Sequence, residues 1–208
     1  MISFCMTIKN RTVFDYEGRE FRLLDKNLEQ ICRLKKLTDK WEICITDYQS
    51  TDVNLEEYLP KLLRDRIPYK YLRMNSGKFS RGEGLNYAAA LASGQILFFL
   101  DVDMYFTDRT VIEKAINLAN SGYVYFPICS SFTTAEHTHY QARPSGKGNV
   151  ALHRKMFLRN RWTHNRQWGK EDDIFFNFFR KIAVRDYTRR FFHLWHPNDE
   201  EFKNRGYV

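Results

Sequence analysis

Apolar and polar positions along the 208-residue chain alternate between two periodicities. Ile2–Ile8 is a short apolar run that stops at Lys9-Asn10-Arg11, and it predicts a strand. Between residues 21 and 37 apolar side chains fall at Phe21, Leu24, Leu28, Ile31, Leu34 and Leu37. Steps of three and four predict an amphipathic helix. Residues 41–46 form a second apolar run ending at Asp47, with the turn-like Gln49-Ser50-Thr51-Asp52 after it. Leu55–Leu63 has helical spacing, and Pro60 should end or kink it. Residues 69–74 predict a strand, 77–84 a glycine-containing loop, and 85–92 a small-residue helix stopped by Gly94. Residues 96–100 are continuously apolar, as a strand covered on both faces requires. Asp108 is a natural N-cap for a helix to about Asn120, and 123–128 predict another strand.

This β-α-β-α-β-α-β-α-β order predicts an α/β fold: one domain, a mostly parallel sheet and helices on both faces. The chain length suits one domain rather than two. From 129 to 170 apolar repeats are few, and Ser130, Ser131, Pro144, Gly146 and Gly148 predict long functional loops. Gly146 and Gly148 are candidate hinges for their closure. Helical spacing returns over 171–182, and 190–195 predict a last strand.

Composition narrows the class. An apolar fraction of 43% excludes a disordered chain. Cys5, Cys32, Cys44 and Cys129 lie far apart with no CxxC, which predicts reduced thiols. No apolar run is long enough to span a bilayer, and a strand-like segment follows Met1 where a leader would stand. The expectation is a cytoplasmic protein, with peripheral membrane contact open to it. The net charge is +8, and residues 1–142 balance 18 Lys/Arg against 18 Asp/Glu. The whole excess therefore lies after residue 142. A positive third predicts an anionic partner: nucleic acid, a membrane surface or an anionic substrate.

Four constellations carry chemistry. In Phe98-Phe99-Leu100-Asp101-Val102-Asp103 a buried strand delivers two carboxylates at its C-terminal end, where ligands of such sheets bind. On an extended chain Asp101 and Asp103 point the same way, and oxygen ligands suit Mg²⁺ or Mn²⁺ bridging to phosphates. Two solvated surface acids are the plainer reading; the apolar strand before them favours the metal. In Trp168-Gly169-Lys170-Glu171-Asp172-Asp173 three acids open a helix. Capping needs only one or two. The surplus suggests a general base, and Trp168 is placed to stack on a sugar ring. In His193-Leu194-Trp195-His196 imidazoles near the chain end offer a nitrogen ligand for a Mn²⁺-class ion. Two His three apart on a strand face opposite ways, so one ligand is expected, with His196 slightly favoured. Gly77-Lys78-Phe79-Ser80-Arg81-Gly82 lacks the P-loop pattern, but Arg81 can clamp a diphosphate.

Together these segments resemble a known family. Asp47-Tyr48-Gln49-Ser50-Thr51-Asp52 resembles the DDxSxD segment of family 2 nucleotide-sugar glycosyltransferases. Residues 81–86, then 88–92, Gly94 and Leu100-Asp101-Val102-Asp103, resemble their RNxGxxxAxGxxxxxLDxD run. Residues 168–175 resemble the WGGEDDDIF signature of the β-1,4-galactosyltransferase C-terminal module, also similar to chondroitin-polymerase-type enzymes. Lys170, Gly82-Glu83 and Tyr48-Gln49 depart from those patterns without removing a carboxylate. The resemblance implies a GT-A fold and a UDP-sugar donor, with residues 1–128 as the nucleotide-sugar-binding half and 129–208 as the acceptor-binding and catalytic half. It implies that Thr7, Asn10 or Arg11, Asp47, Arg81 and Asp101 line the nucleotide site. Asp103 and a late His, His193 or His196, would ligate Mn²⁺, with Asp101 as a further candidate. Asp172 would be the base and Glu171 a sugar contact.

The expected activity is metal-dependent, inverting transfer of galactose, N-acetylgalactosamine, glucose or N-acetylglucosamine from UDP to a glycan or lipid-linked acceptor. A nucleotidyltransferase on a similar sheet is one alternative. The other is a basic binding module using Arg159-Asn160-Arg161-Trp162 and Arg189-Arg190-Phe191-Phe192 as a stacking and phosphate-binding surface.

Overall fold

The computed structural model describes residues 1–76, 78–164 and 170–197. The strands are β1 (Ile2–Ile8), β2 (Val13–Tyr16), β3 (Arg19–Arg22), β4 (Trp41–Asp47), β5 (Tyr69–Arg73), β6 (Ile96–Phe99), β7 (Met104–Phe106), β8 (Val124–Tyr125), β9 (Ile128–Phe132), β10 (Tyr140–Ala142), β11 (Val150–His153), β12 (Ala183–Val184) and β13 (Tyr187–His193). The helices are α1 (Leu23–Leu34), α2 (Leu55–Leu63), α3 (Arg81–Leu91), α4 (Thr110–Asn120), α5 (Arg154–Phe157) and α6 (Lys170–Phe179).

The main sheet has the order β12-β8-β11-β6-β1-β4-β5. Only β11 runs against its neighbours, β6 and β8. A second sheet, β10-β9-β13-β7, stands at the end of the first. Side chains alternating along β1 divide the core. Phe4 and Met6 join α1, α2 and α4 on one face. Cys5 joins Leu85 and Ala88 of α3 and Phe175 and Phe179 of α6 on the other. Helices thus cover both faces of a mostly parallel sheet, as the alternating order predicted. The four thiols are free, with Cys5, Cys44 and Cys129 buried.

Several boundaries differ, each for a physical reason. The first helix starts at Leu23 because Phe21 pairs with Phe14 in the β2–β3 hairpin, their rings stacked at 5.2 Å. It ends at Leu34, and Leu37 is exposed. Helix α2 passes through Pro60 and closes only at Leu63, with Arg64 left-handed. Helix α3 begins at Arg81, so Gly82 and Gly84 lie inside it rather than in a loop. A Cβ at Gly82 would sit 2.1 Å from the Thr163 carbonyl oxygen, and one at Gly84 2.1 Å from Thr7 Oγ1. These glycines let the helix press onto its neighbours. The expected strand over 123–128 splits at Phe126-Pro127 into β8 and β9, which belong to different sheets. The region read as loops contains β11, whose Val150, Ala151 and Leu152 are fully buried beside β6.

Candidate active site

The parallel strands end on one cleft of about 590 Å³. Thr7 closes β1 and Asp101 follows β6, where the Leu100 N–H still reaches the Cys5 carbonyl at 3.0 Å. The chain then turns, with Met104 N–H on the Asp101 carbonyl at 3.4 Å. Asn27 of α1 holds the turn by donating Nδ2–H to the Met104 carbonyl at 2.7 Å. Because of this turn Asp101 and Asp103 do not point the same way, and each meets a different set of partners.

Asp103 is buried, and β13 brings His193 beside it. His193 pairs with Met104 in the ladder, and the Leu194 N–H donates to the Asp103 carbonyl at 2.8 Å. The strand stops there, and the following turn brings His196 back. His193 and His196 Nε2 lie 3.6 and 3.4 Å from Asp103 Oδ2 and 3.3 Å from each other. Both imidazoles thus face one carboxylate; the expectation of a single one assumed a continuous strand.

These residues fit a divalent cation. Their ligand atoms all lie within 4.8 Å of one another. Asp103 Oδ1 is buried without a hydrogen-bond partner. His196 donates Nδ1–H to the Pro197 carbonyl at 2.7 Å, which leaves the Nε2 lone pair for a metal. Burial pushes His193 down to about 4, so its ring is neutral near pH 7. Asp103 is held well below the usual carboxylate range: burial opposes its charge, but His193, His196 and Arg11 outweigh that. Arg11 Nη1 lies 3.2 Å from Asp103 Oδ2.

Asp101 is engaged elsewhere. Its Oδ1 accepts from Arg81 Nε at 2.8 Å and its Oδ2 from Asn149 Nδ2 at 3.2 Å. Arg81 also donates Nη1–H to Asp172 Oδ1 and Nη2–H to the Gly148 carbonyl, each at 2.8 Å. Its guanidinium lies 5.3 Å over the Trp162 ring. Asp172 stands in the first turn of α6. Burial, set against Arg81 and helped by Asp101, Glu171 and Asp173, pushes its pKa up to about 6. Glu171 is 3% exposed, with Oε2 unpartnered. Asp173 is paired with Lys147 at 2.5 Å.

The remaining predicted residues divide. Thr7, Arg11 and Asp101 line the cleft. Asn10 and Asp47 are not among its lining residues: Asn10 joins the loop after β1 to the loop after β4, and Asp47 braces its own turn and β5. Asn10 receives the Thr51 N–H at 2.6 Å, while Asp47 accepts from Ser50 N–H at 2.8 Å and Tyr71 O–H at 2.9 Å. Trp168 lies outside the described residues. Lys9 and Phe79, from the segments that follow β1 and precede α3, also line the cleft, while sequence reading missed Arg143, Lys147 and Asn149 there. The Gly148-Asn149 pair before an apolar run was the only available signal. Gly148 is no free hinge, since Arg81 holds its carbonyl and a Cβ there would sit 2.9 Å from Arg81 Nη2. The basic stacking surface is absent too. Trp162 is 2% exposed and stacked on Phe175 at 4.0 Å, and Phe191 and Phe192 are buried.

A mostly parallel α/β sheet with helices on both faces and one cleft at its strand ends is the fold this chain shares with GT-A glycosyltransferases. Residues 3–188 match the family model described as glycosyl transferase family 2, and the chain belongs to that family. Chondroitin sulfate N-acetylgalactosaminyltransferase 1 of Mus musculus, like that of Homo sapiens, is 29% identical over 157 residues, covering 62% of this chain and 29% of the relative. The chain therefore spans under a third of those relatives. S. aureus TarS 1-349, solved with UDP-GlcNAc, superposes with TM-score 0.69 at 12% identity over 95% of this chain and 59% of that one. Mannosyltransferase PcManGT from Pyrobaculum calidifontis, solved with GDP-Man and Mn²⁺, gives 0.70 at 15% identity over 99% and 58%. Among the described residues no helix is long and apolar enough to cross a membrane.

Proposed function

We propose that the chain transfers an N-acetylhexosamine, or its parent galactose or glucose, from a UDP-sugar to a hydroxyl of a glycan or lipid-linked acceptor, with inversion. The observation that carries this reading is that Asp103, His193 and His196 face the same cleft as Asp172 and Glu171. The names of the chondroitin and TarS relatives support the donor class, and the PcManGT complex supports Mn²⁺.

Asp103, His193 and His196 would hold a divalent cation, Mn²⁺ or Mg²⁺, which would neutralise charge on the departing diphosphate. Arg143 adds a second positive group. It lines the cleft near His193, and among the described residues its guanidinium has no ion-pair partner. Asp172, in the same cleft, takes the proton of the acceptor hydroxyl. The acceptor oxygen bonds to the anomeric carbon as the bond to the diphosphate oxygen breaks, and that electron pair leaves with UDP. Glu171 Oε2 accepts a hydrogen bond from a sugar hydroxyl, which would satisfy its buried lone pair.

The test is transfer from a panel of UDP-sugars with and without Mn²⁺, in the native chain and in Asp103→Ala and Asp172→Asn. Metal-dependent transfer lost in both variants supports the reading. Unchanged transfer in both would sink it.

A further inference from the structure

We infer that Asn149, Asp101 and Arg81 form a positioning chain that aims the Asp172 carboxylate into the cleft, so that of the two acids after β6 only Asp103 serves the cation. The inference rests on the glycosyl-transfer reading above and divides the labour within it.

Each link is made by directed bonds. The Asp101 backbone N–H donates to Asn149 Oδ1 at 2.9 Å, and Asn149 Nδ2 returns a bond to Asp101 Oδ2 at 3.2 Å. This reciprocal pair fixes the plane of the Asp101 carboxylate. Its other oxygen takes Arg81 Nε–H at 2.8 Å. Arg81 carries the constraint onward, with Nη1 on Asp172 and Nη2 on the Gly148 carbonyl. Trp162 supports the guanidinium face. A planar fork held at three nitrogens delivers its bond to Asp172 in one direction only.

Two further facts support this division. Every nitrogen of the Arg81 guanidinium is already bonded to a protein group, and both Asp101 oxygens are taken. Asp101 is not in the group of Asp103, His193 and His196 whose ligand atoms converge. The absence of a side chain at 148 is also part of the arrangement. A Cβ there would approach Arg81 Nη2 at 2.9 Å and Asp172 Oδ2 at 3.0 Å. Glycine leaves the free oxygen of Asp172 room for an acceptor.

The charges facing Asp172 are Arg81 from α3, Asp101 from the turn after β6, and Glu171 and Asp173 from its own helix, with Lys147 on Asp173. Without the Arg81 charge Asp172 faces three acids, and it holds its proton to higher pH.

The experiment compares Asp101→Asn, Asn149→Ala, Arg81→Gln and Arg81→Lys with Asp103→Asn. Mn²⁺ binding is followed by titration calorimetry, and kinetics use whichever UDP-sugar the native chain accepts. Asp101→Asn and Asn149→Ala should bind Mn²⁺ within about threefold of the native chain, while Asp103→Asn loses binding by about tenfold or more. Asn149→Ala, Arg81→Gln and Arg81→Lys should lower kcat by about tenfold or more with the UDP-sugar KM nearly unchanged. Arg81→Gln should also move the acid limb of kcat/KM to higher pH, and Arg81→Lys should restore the limb but not kcat. Loss of Mn²⁺ binding in Asp101→Asn equal to that in Asp103→Asn overturns the inference. So does an Arg81→Gln chain with raised KM and native kcat, which would make Arg81 a diphosphate ligand. If Arg81→Gln misfolds by circular dichroism, the Asn149→Ala kinetics and the Mn²⁺ titrations decide. A native chain that transfers from no UDP-sugar sinks the proposed reaction; the Asp101→Asn and Asp103→Asn titrations still test the division between the two acids.

Discussion

Arg81 Nη1 and Asp172 Oδ1 meet at 2.8 Å, and this contact joins the first turn of α3 to the first turn of α6 across 91 residues of chain. It ties the carboxylate proposed as base to the strand-end turn that carries Asp101. The Asp172 pKa, pushed up to about 6 by burial against the pull of Arg81, sets a first expectation. The base works only when ionised, so kcat/KM should rise with pH along a limb centred near 6 and level off above it. Asp172→Asn should lower kcat by about a hundredfold or more and leave UDP-sugar binding intact. A pH–rate profile of the native chain and one single-turnover comparison check both.

The same shift has a stability consequence of fixed sign. A carboxyl whose folded-state pKa is raised favours folding while protonated, and that contribution is lost as pH rises through about 6. The isosteric Asp172→Asn chain escapes the loss. Its melting temperature should exceed the native value at pH 8, by the equivalent of about 2–3 kcal/mol. The gap should shrink towards pH 5. A constant difference across that range would rule out Asp172 as its source.

Divalent-ion affinity should depend on three side chains together. His193→Ala and His196→Ala should each weaken Mn²⁺ binding by about tenfold or more, as should Asp103→Ala. Burial holds His193 at about 4, so its ring nitrogen is available throughout the neutral range. Titration calorimetry without nucleotide reads this directly, and native affinity in either His variant would remove that imidazole from the site.

Gly84→Ala should cost stability rather than chemistry. The added methyl would sit 2.1 Å from Thr7 Oγ1 and 2.7 Å from Thr7 Cβ, so α3 would have to lift from β1. A destabilisation of about 1–3 kcal/mol is expected. Gly84→Ala combined with Thr7→Ala, which removes the Oγ1 that the new methyl would strike, should recover part of it, measured by urea unfolding.

Mass action separates the two classes of anionic partner. UDP with Mn²⁺ should raise the melting temperature in proportion to occupancy, by about 2.7 kcal/mol at a hundred times the dissociation constant. A single-stranded oligonucleotide should give no comparable shift at physiological salt, since Trp162, Phe191 and Phe192 are core residues.

The sheet and its helices were legible because the apolar periods are strong: continuous runs for the covered strands, helical spacing for α1, α2 and α6. Asp103, Asp172, Glu171 and the pair His193 and His196 were legible as candidates because acids and imidazoles stood beside such runs. What escaped depended on distant partners. Phe21 reads as the first turn of a helix until Phe14 claims it for a hairpin. Gly82 and Gly84 read as a loop until Thr163 and Thr7 show why no Cβ fits. Asp101 reads as a twin of Asp103 until the turn fixed by Asn27 separates them, and Asn149 carries no motif at all. The +8 charge also divides. Arg143 and Lys147 reach the cleft, whereas Arg154 caps the carbonyls of Ala89, Ala92 and Gly94 and does structural service.

Strand β11 runs against β6, with Val150 opposite Phe99. In a parallel strand, the residues that precede it lie at the end of the sheet away from the ligand. Reversal puts the segment before β11, from Arg143 to Asn149, at the same rim as Asp101. One wall of the cleft is therefore built from chain that belongs to no βαβ unit, and its length is not dictated by the crossover geometry. Residues 143–147 of that wall can lengthen, shorten or change charge over evolutionary time while the sheet, the bonded Gly148 and Asn149, and the Asp103, His193 and His196 side chains stay in place. That makes it the natural place for related enzymes to diverge in the substrates they accept.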